Sequence, residues 1–184
     1  MAIFLTRHSQ DYDNKHKILN GHRDTKLTNL GRWQARQKAY ALRKENIQII
    51  YSSPLKRAHE TALIISDILK IKNIILEKDL IERDFGILTG KPICDIVKYA
   101  NKIIKTRDVD YFIEAEGVES FLLLYKRARF VLKKIISNCS NKNVLIVTHG
   151  DIGKMILAVF YGLGWKKGLT SFNFKNTDIF KLLD

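Results

Sequence analysis

The chain is expected to fold as an α/β protein, a three-layer α/β/α sandwich with a mostly parallel central sheet, and three observations predict it. Short apolar runs rich in β-branched residues, Ala2 to Leu5, Ile47 to Tyr51 and Val144 to Val147, show no polar alternation, the pattern of strands buried on both faces. Stretches with apolar residues at helical spacing separate those runs. Each run stops at polar residues just before a predicted helix or turn, where open parallel sheets bind ligands.

Taken in order, the first helix is expected to begin with Thr28 as N-cap and to run to about Glu45. The second lies in SSPLKRAHETALIISDIL, with Ser53 as N-cap, Pro54 at the first helical position, and Leu55, Ala58, Ala62, Ile65 and Leu69 as one apolar face. A third is predicted from Pro92 to about Thr106, a fourth from Gly117 to about Ile136 and a fifth from Asp151 to Tyr161. The pairs Phe172/Phe174 and Ile179/Leu182 suggest one or two closing strands around Asn176-Thr177. No internal repeat or Pro-rich linker divides the chain, so a single domain over 1–184 is expected.

Composition sets bounds on function. The 184 residues are 46% apolar and 28% charged, close to globular averages, and a chain this long buries roughly 70% of its unfolded surface. Cys94 and Cys139 are too few for a disulfide framework and belong to no ligand pattern, so no structural metal and no cofactor is expected. Neither a secretory leader nor a run of eighteen apolar residues is present, which predicts a soluble, cytoplasmic protein without a membrane partner. A formal charge of +13 attracts polyanions: nucleic acid, anionic lipid or phosphorylated small molecules. Frequent Ile, Lys and Asn, as in AT-rich coding, account for that charge more simply. Exposed apolar helix positions leave a homodimer open.

The strand ends carry the chemistry. The first run ends at Arg7-His8, the second at Ser52-Ser53 ahead of a helix bearing Arg57, and the last at Thr148-His149-Gly150. Taken singly, each of these residues has a plain structural explanation. Together on one rim they fit phosphoryl transfer, in which a neutral imidazole attacks phosphorus while cations surround the equatorial oxygens. Arg7 and Arg57 offer bidentate forks, His149 a further N–H, and the Gly150 amide the anion preference of a helix N-terminus. Glu82, in DLIERDFG, is the expected acid for the leaving alkoxide and, in reverse, the base for water.

At these residues the chain resembles the histidine phosphatase superfamily in its phosphoglycerate-mutase-like branch, and the resemblance covers nearly the whole sequence. TRHS stands for the family's Arg-His-Gly. GHRDTKLTNLGRWQA at 21–35 resembles Gly-x-x-Asp-x-x-Leu-Thr-x-x-Gly-x-x-Gln-Ala, and SSPLKRAHETA at 52–62 resembles Ser-Ser-Pro-Leu-x-Arg-Ala-x-x-Thr-Ala. LIERDFGILTG, EGVES and VTHG match three further elements in the family's order. The resemblance implies that His8 is the phosphorylated nucleophile, that Arg7, Arg57 and His149 bind phosphate with Asn14 assisting, and that Glu82 donates the proton. Asn14 enters by resemblance alone. Ser9 stands where the family has glycine, and Gln10-Asp11 where Glu-Thr is common. A glycine there gives close backbone approach or a positive φ, so the serine is expected to lower efficiency, though its hydroxyl adds a potential phosphate donor.

The expected function is a metal-independent phosphomonoester phosphatase acting through a phosphohistidine intermediate on His8. A phosphoglycerate mutase is the runner-up. It would need a more enclosed pocket than the short segment between Gly90 and Glu116 offers, and the chain ends soon after Leu183, a poorer fit to relatives with C-terminal tails. From another class, a catalytically inactive nucleic-acid-binding protein would use the basic surface and Trp165 beside Lys166 and Lys167, but it would need no nucleophile-acid pair. A phosphorylated small molecule is the expected partner, with a phosphoprotein as a further substrate class. The stretches 10–22 and 83–91 and the helix around Lys98 are expected to set specificity, with His22, Arg23 and Arg83 reading a second anionic group.

Overall fold

A computed structural model describes residues 1–105, 110–139 and 141–183. In chain order the elements are β1 (Ile3–Arg7), α1 (Tyr12–Lys15), α2 (Asn29–Leu42), β2 (Ile49–Ser52), α3 (Lys56–Leu69), β3 (Ile74–Leu76), α4 (Ile96–Tyr99), β4 (Lys102–Lys105), β5 (Asp110–Glu114), α5 (Phe121–Asn138), β6 (Val144–Thr148), α6 (Gly150–Phe160), α7 (Trp165–Ser171) and β7 (Ile179–Leu183). The main sheet runs β3-β2-β6-β1-β7, while β4 and β5 form a separate antiparallel pair. Its first four strands are parallel and β7 is antiparallel on the edge.

The period of two along a strand divides the core between the sheet's faces. Phe4, Ile50, Leu145 and Val147 pack with Ala39, Leu42, Ala58, Ala62 and Ile65 of α2 and α3. Ile3, Leu5, Ile49, Tyr51, Val144 and Ile146 pack on the other side with Leu124, Val131 and Ile135 of α5 and Ile152 and Ile156 of α6. Each such Val, Ile or Leu contributes roughly 1.5–3 kcal/mol by leaving water, so an uninterrupted apolar strand is stable only between two helical layers. The α/β sandwich with a mostly parallel sheet is therefore as expected. Among the described residues no helix is long and apolar enough to cross a membrane.

Several boundaries differ from the expected ones. The second helix begins at Lys56, not Pro54, because Leu55 is extended at ψ 135 and Ser53 serves another partner. The third expected helix is only a short turn and α4; Ala100 then turns extended, and Ile103 and Ile104 pair across β5 with Phe112 and Tyr111. β-Branched residues there gain more from cross-strand packing than from a helix; Thr106, where that helix was to end, lies outside the described residues. The fourth begins at Phe121, capped by the Ser120 hydroxyl, because Gly117 takes φ +69 and Val118 bridges to Phe85. Of the closing strands, Ile179–Leu183 forms, whereas Phe172 and Phe174 follow an unforeseen helix, α7, and stay outside any strand. α1 and β3 were likewise unforeseen.

A third apolar cluster, Leu19, Phe85, Leu88, Ile96 and Phe112, lies under the hairpin and joins it to the loop after α1. It forms a cover beside the C-terminal ends of β1, β2 and β6.

Candidate active site

Strand register creates the site. Arg7 pairs with Thr148 and Ser52 with Val147, so the residues just beyond, His8, Ser53 and His149, emerge together. The His8 amide donates to Thr148 O at 2.7 Å and the Ser53 amide to Val147 O at 3.0 Å, which extends the ladder one residue past the sheet. The two imidazole rings lie 5.1 Å apart.

The surroundings of each ring fix its tautomer. His8 Nδ1 is 2.8 Å from the Ser9 carbonyl, which can only accept, so Nδ1 carries the proton and Nε2 keeps its lone pair. Burial first, then the charges of Arg57, Arg7 and Lys38, hold His8 well below the ordinary histidine value. The ring is therefore neutral and oriented, with Nε2 as its basic nitrogen. His149 Nε2 lies 2.7 Å from Ser53 Oγ, which already accepts from the Leu55 amide. In the tautomer in which the hydroxyl donates to Nε2, Nδ1–H is left as a donor. Burial, then Arg57 and His8, keeps His149 neutral as well.

Arg57 is completely buried. Its Nη1 donates to Arg23 O at 2.6 Å, its Nη2 to Gly21 O at 2.8 Å, and its Nε stands 3.5 Å from Asp11 Oδ2. Gly21 sits at φ +46, which suits a residue without Cβ and turns its carbonyl toward Arg57. Arg7 donates through Nη1 to Phe174 O. Asn14 Oδ1 accepts from Asn176 Nδ2, which also donates to His8 O. Asp11 organises the loop by accepting from the Asn14 amide, Asn20 Nδ2 and Thr25 Oγ1. Gly31 lets α2 touch this loop, since a Cβ there would lie 2.0 Å from Gln10 O.

Among the described residues, four buried side-chain polar atoms have no hydrogen-bond partner: Arg7 Nε, Ser9 Oγ, Arg57 Nε and His149 Nδ1. Two are guanidinium N–H donors, of which Arg57 Nε is ion-paired with Asp11 at 3.5 Å, and His149 Nδ1 is a third in the tautomer in which Ser53 donates to Nε2. An unmade buried donor costs about 1–3 kcal/mol, so this cluster suits an anion that brings acceptors.

Glu82 closes the opposite side. It accepts from the amides of Gly150 at 2.8 Å, Asp151 at 3.2 Å, Ile152 at 3.3 Å and Arg83 at 3.0 Å, at the N-terminus of α6. The Gly150 amide, expected to face phosphate, is thus engaged by Glu82 here. A Cβ on Gly150 would lie 3.5 Å from both Arg7 Cζ and Glu82 Oε2, so the glycine sits between cation and carboxylate. Beside Glu82, Asp151 is pushed up to about 6, first by burial and then by the Glu82 charge.

A cavity of about 460 Å³ opens from Arg7, Asn14, Glu82 and Gly150 toward the cover. Ile18, Leu19, Phe85, Ile93, Ile96 and Phe112 give it an apolar wall, and Asn173, Lys175 and Asn176 a polar one. His8, Arg57 and His149 lie behind this lining rather than in it, and the three expected readers of a second anionic group are outside it as well. His22 Nε2 bonds Glu82 O, and Arg23 pairs with Asp13 at 2.8 Å. Arg83 is buried behind Glu82, bonding the carbonyls of Phe112, Ile113 and Glu119 and stacking 3.8 Å from the Phe121 ring centre. Its donors are spent on the fold, a correction to its expected role. Lys98, on the cover, pairs with Asp95. Ser9 has no positive φ, so its backbone does not require glycine, and its amide donates to Thr61 Oγ1. Sequence reasoning missed Ser53 as the partner of His149 and Asn176 as the link between Asn14 and His8. The first was masked by its reading as a helix cap, and the second left no signal beyond a turn.

The histidine phosphatase superfamily (branch 1) matches residues 3–183. Phosphoserine phosphatase 1 of Hydrogenobacter thermophilus is 30% identical over 150 residues, spanning 81% of this chain and 71% of that protein. The broad-specificity phosphatase YOR283W of Saccharomyces cerevisiae is 30% identical over 164 residues, spanning 85% and 69%. The fold also matches that of mycobacterial glucosyl-3-phosphoglycerate phosphatase Rv2419c, solved with VO3, at a TM-score of 0.82 and 21% identity, covering 98% of this chain and 91% of that one. The protein is thus a phosphatase, and its chain belongs to branch 1 of the histidine phosphatase superfamily.

Proposed function

We propose that the enzyme hydrolyses small phosphomonoesters through a phosphohistidine at His8 Nε2. The observation that carries this reading is the set of buried atoms without a hydrogen-bond partner, Arg7 Nε, His149 Nδ1 and Arg57 Nε, the last facing Asp11 at 3.5 Å, around a neutral His8 whose Nδ1–H is already bound. Phosphate would supply the missing acceptors, and Asn14, whose Oδ1 is taken by Asn176, would add its amide N–H.

In the first step the Nε2 lone pair forms the N–P bond as the P–O bond to the alcohol breaks. Glu82 gives its proton to the departing oxygen. The Ser9 carbonyl stabilises the positive charge that develops on the ring, and Arg7, Arg57 and His149 hold the equatorial oxygens. In the second step the Glu82 carboxylate takes a proton from water, the new P–O bond forms and the N–P bond breaks, so that inorganic phosphate leaves and His8 returns neutral. Asp151, at about 6, is mostly ionised at neutral pH and takes up a proton beside Glu82 only as pH falls toward 6.

Water rather than a second hydroxyl is the acceptor in this reading. Small metabolite phosphates are the proposed substrates, in keeping with phosphoserine and broad-specificity phosphatases among the relatives. The free thiols Cys94 and Cys139 fit a cytosolic setting. The test is rapid acid and alkaline quenching of turnover with labelled phosphomonoester. An alkali-stable, acid-labile phosphoenzyme is expected in the wild type and absent in His8→Ala, whose turnover falls at least about 10⁴-fold. Turnover in His8→Ala at near wild-type rate would sink the reading.

A further inference from the structure

One charged group near the centre takes no part in the steps above. Lys38 occupies a core position of α2, between Ala35 and Leu42, and is 3% exposed. Its ammonium donates to the carbonyl of Arg7, the peptide that leads into His8, and it does not line the cavity. Burying an ammonium is expensive, and a methionine of similar length would fill such a site without that cost. The charge therefore calls for a role.

We infer that Lys38 is a positioning residue of the phosphate centre: its buried ammonium fixes the Arg7–His8 strand end and adds positive charge to the site without touching substrate. This rests on reading Arg7 and His8 as the phosphate centre. The charged groups facing Lys38 are Arg7 on β1 and Asp178 ahead of β7, held there by the Thr6 hydroxyl bond to Asp178 O. Burial first, then the Arg7 charge, brings Lys38 down to about 7, while Asp178 opposes them. Its charge in turn helps keep His8 neutral. An anion on Arg7 and His8 would draw the proton onto Lys38, and by linkage a protonated Lys38 strengthens the anion's hold.

The sign for stability follows. Below the folded value of about 7 both folded and unfolded lysine are protonated. Above it the unfolded chain binds the extra proton, so the wild type gains stability as pH rises toward the ordinary lysine value. Lys38→Met removes that gain.

The experiment measures inhibition by orthovanadate for wild type, Lys38→Met, Lys38→Arg and Arg7→Ala, from about pH 5.5 to 9, with denaturant melts at each end. Ratios to wild type at each pH cancel the ionisation of the probe. Lys38→Met is expected to bind vanadate about three- to tenfold more weakly below pH 7, with the difference vanishing above about pH 8.5. Lys38→Arg, charged throughout, keeps its affinity across the range. A folded Lys38→Met that matches wild type at every pH overturns the proposal. Should Lys38→Met not fold, Lys38→Arg decides: affinity flat relative to the falling wild type supports the charge role, and affinity falling in parallel overturns it. Unchanged vanadate binding in Arg7→Ala would instead overturn the phosphate centre itself.

Discussion

The rim at the ends of β1, β2 and β6 and the cover made by α4, β4 and β5 face each other across one cavity, and they are built differently. On the rim, parallel registers carry the backbone one residue past the sheet, so His8, Ser53 and His149 inherit strand positions, and among the described residues the buried side-chain polar atoms without a hydrogen-bond partner, Arg7 Nε, Ser9 Oγ, Arg57 Nε and His149 Nδ1, all lie there. The cover consists of two four-residue elements and one strand of five, tied to the rest by a small apolar cluster. On the proposed mechanism, rigid strand ends serve a phosphoryl group common to all substrates. On the same proposal, a thin apolar cover serves whatever alcohol accompanies it. Changes on the rim should therefore act on every substrate alike, whereas changes on the cover should discriminate among them.

Glu82→Gln is the sharpest test on the rim. The amide retains an oxygen for the Gly150 N–H but carries no transferable proton. Hydrolysis of an alkyl phosphomonoester should fall about 10²–10⁴-fold. With p-nitrophenyl phosphate the first step should be much less affected, because that leaving group departs without protonation. Single-turnover rates on the two substrates check this, and equal losses on both would remove Glu82 from the acid role.

A smaller effect is expected on the cover. Ile93 lines the cavity yet is 45% exposed, so its loss should cost the fold little. Ile93→Ala should raise KM for a phosphomonoester with a bulky apolar group about five- to tenfold, in proportion to the apolar contact removed. KM for a small substrate and inhibition by vanadate should stay within about twofold, since the rim is untouched. A uniform rise for all three would show that cover and rim do not divide the work in this way.

The same division governed how much could be read from the sequence. The rim was legible because apolar strands that stop at Arg-His and Thr-His-Gly leave their polar residues at one edge of a parallel sheet, and Arg57 follows within the next helix. What stayed hidden there is pairing across long sequence separation. Ser53 looked like a helix cap and instead orients His149, and Asn176 looked like a turn residue and instead braces Asn14 and His8. Lys38 at a helical core spacing gave no sign that its ammonium reaches the strand end. The cover misled more. The stretch from Pro92 was expected to be helical to about Thr106, but Ile103 and Ile104 find a strand partner in Phe112 and Tyr111, a tertiary preference that local periodicity does not encode. Arg83 illustrates the remaining difficulty: a motif-adjacent arginine reads as a ligand until its carbonyl partners and its aromatic stack are seen.

Ser9 gives the smallest effect and separates two roles that the sequence left joined. Its φ is not positive, so replacing it with the family's glycine relieves no strain and should not raise efficiency. Its hydroxyl, by contrast, is buried without a hydrogen-bond partner in company with Arg7 Nε, Arg57 Nε and His149 Nδ1. If that hydroxyl turns to the bound anion, Ser9→Ala should weaken vanadate inhibition about two- to fivefold, the size of one neutral hydrogen bond. The same change should raise the melting temperature of the free enzyme, because a buried hydroxyl with no partner costs stability until an anion satisfies it. Vanadate should then narrow the gap in melting temperature between the two proteins. Unchanged inhibition together with a higher melting temperature would make the hydroxyl a cost without a ligand, and would restrict the anion donors of the rim to Arg7, Arg57, His149 and Asn14.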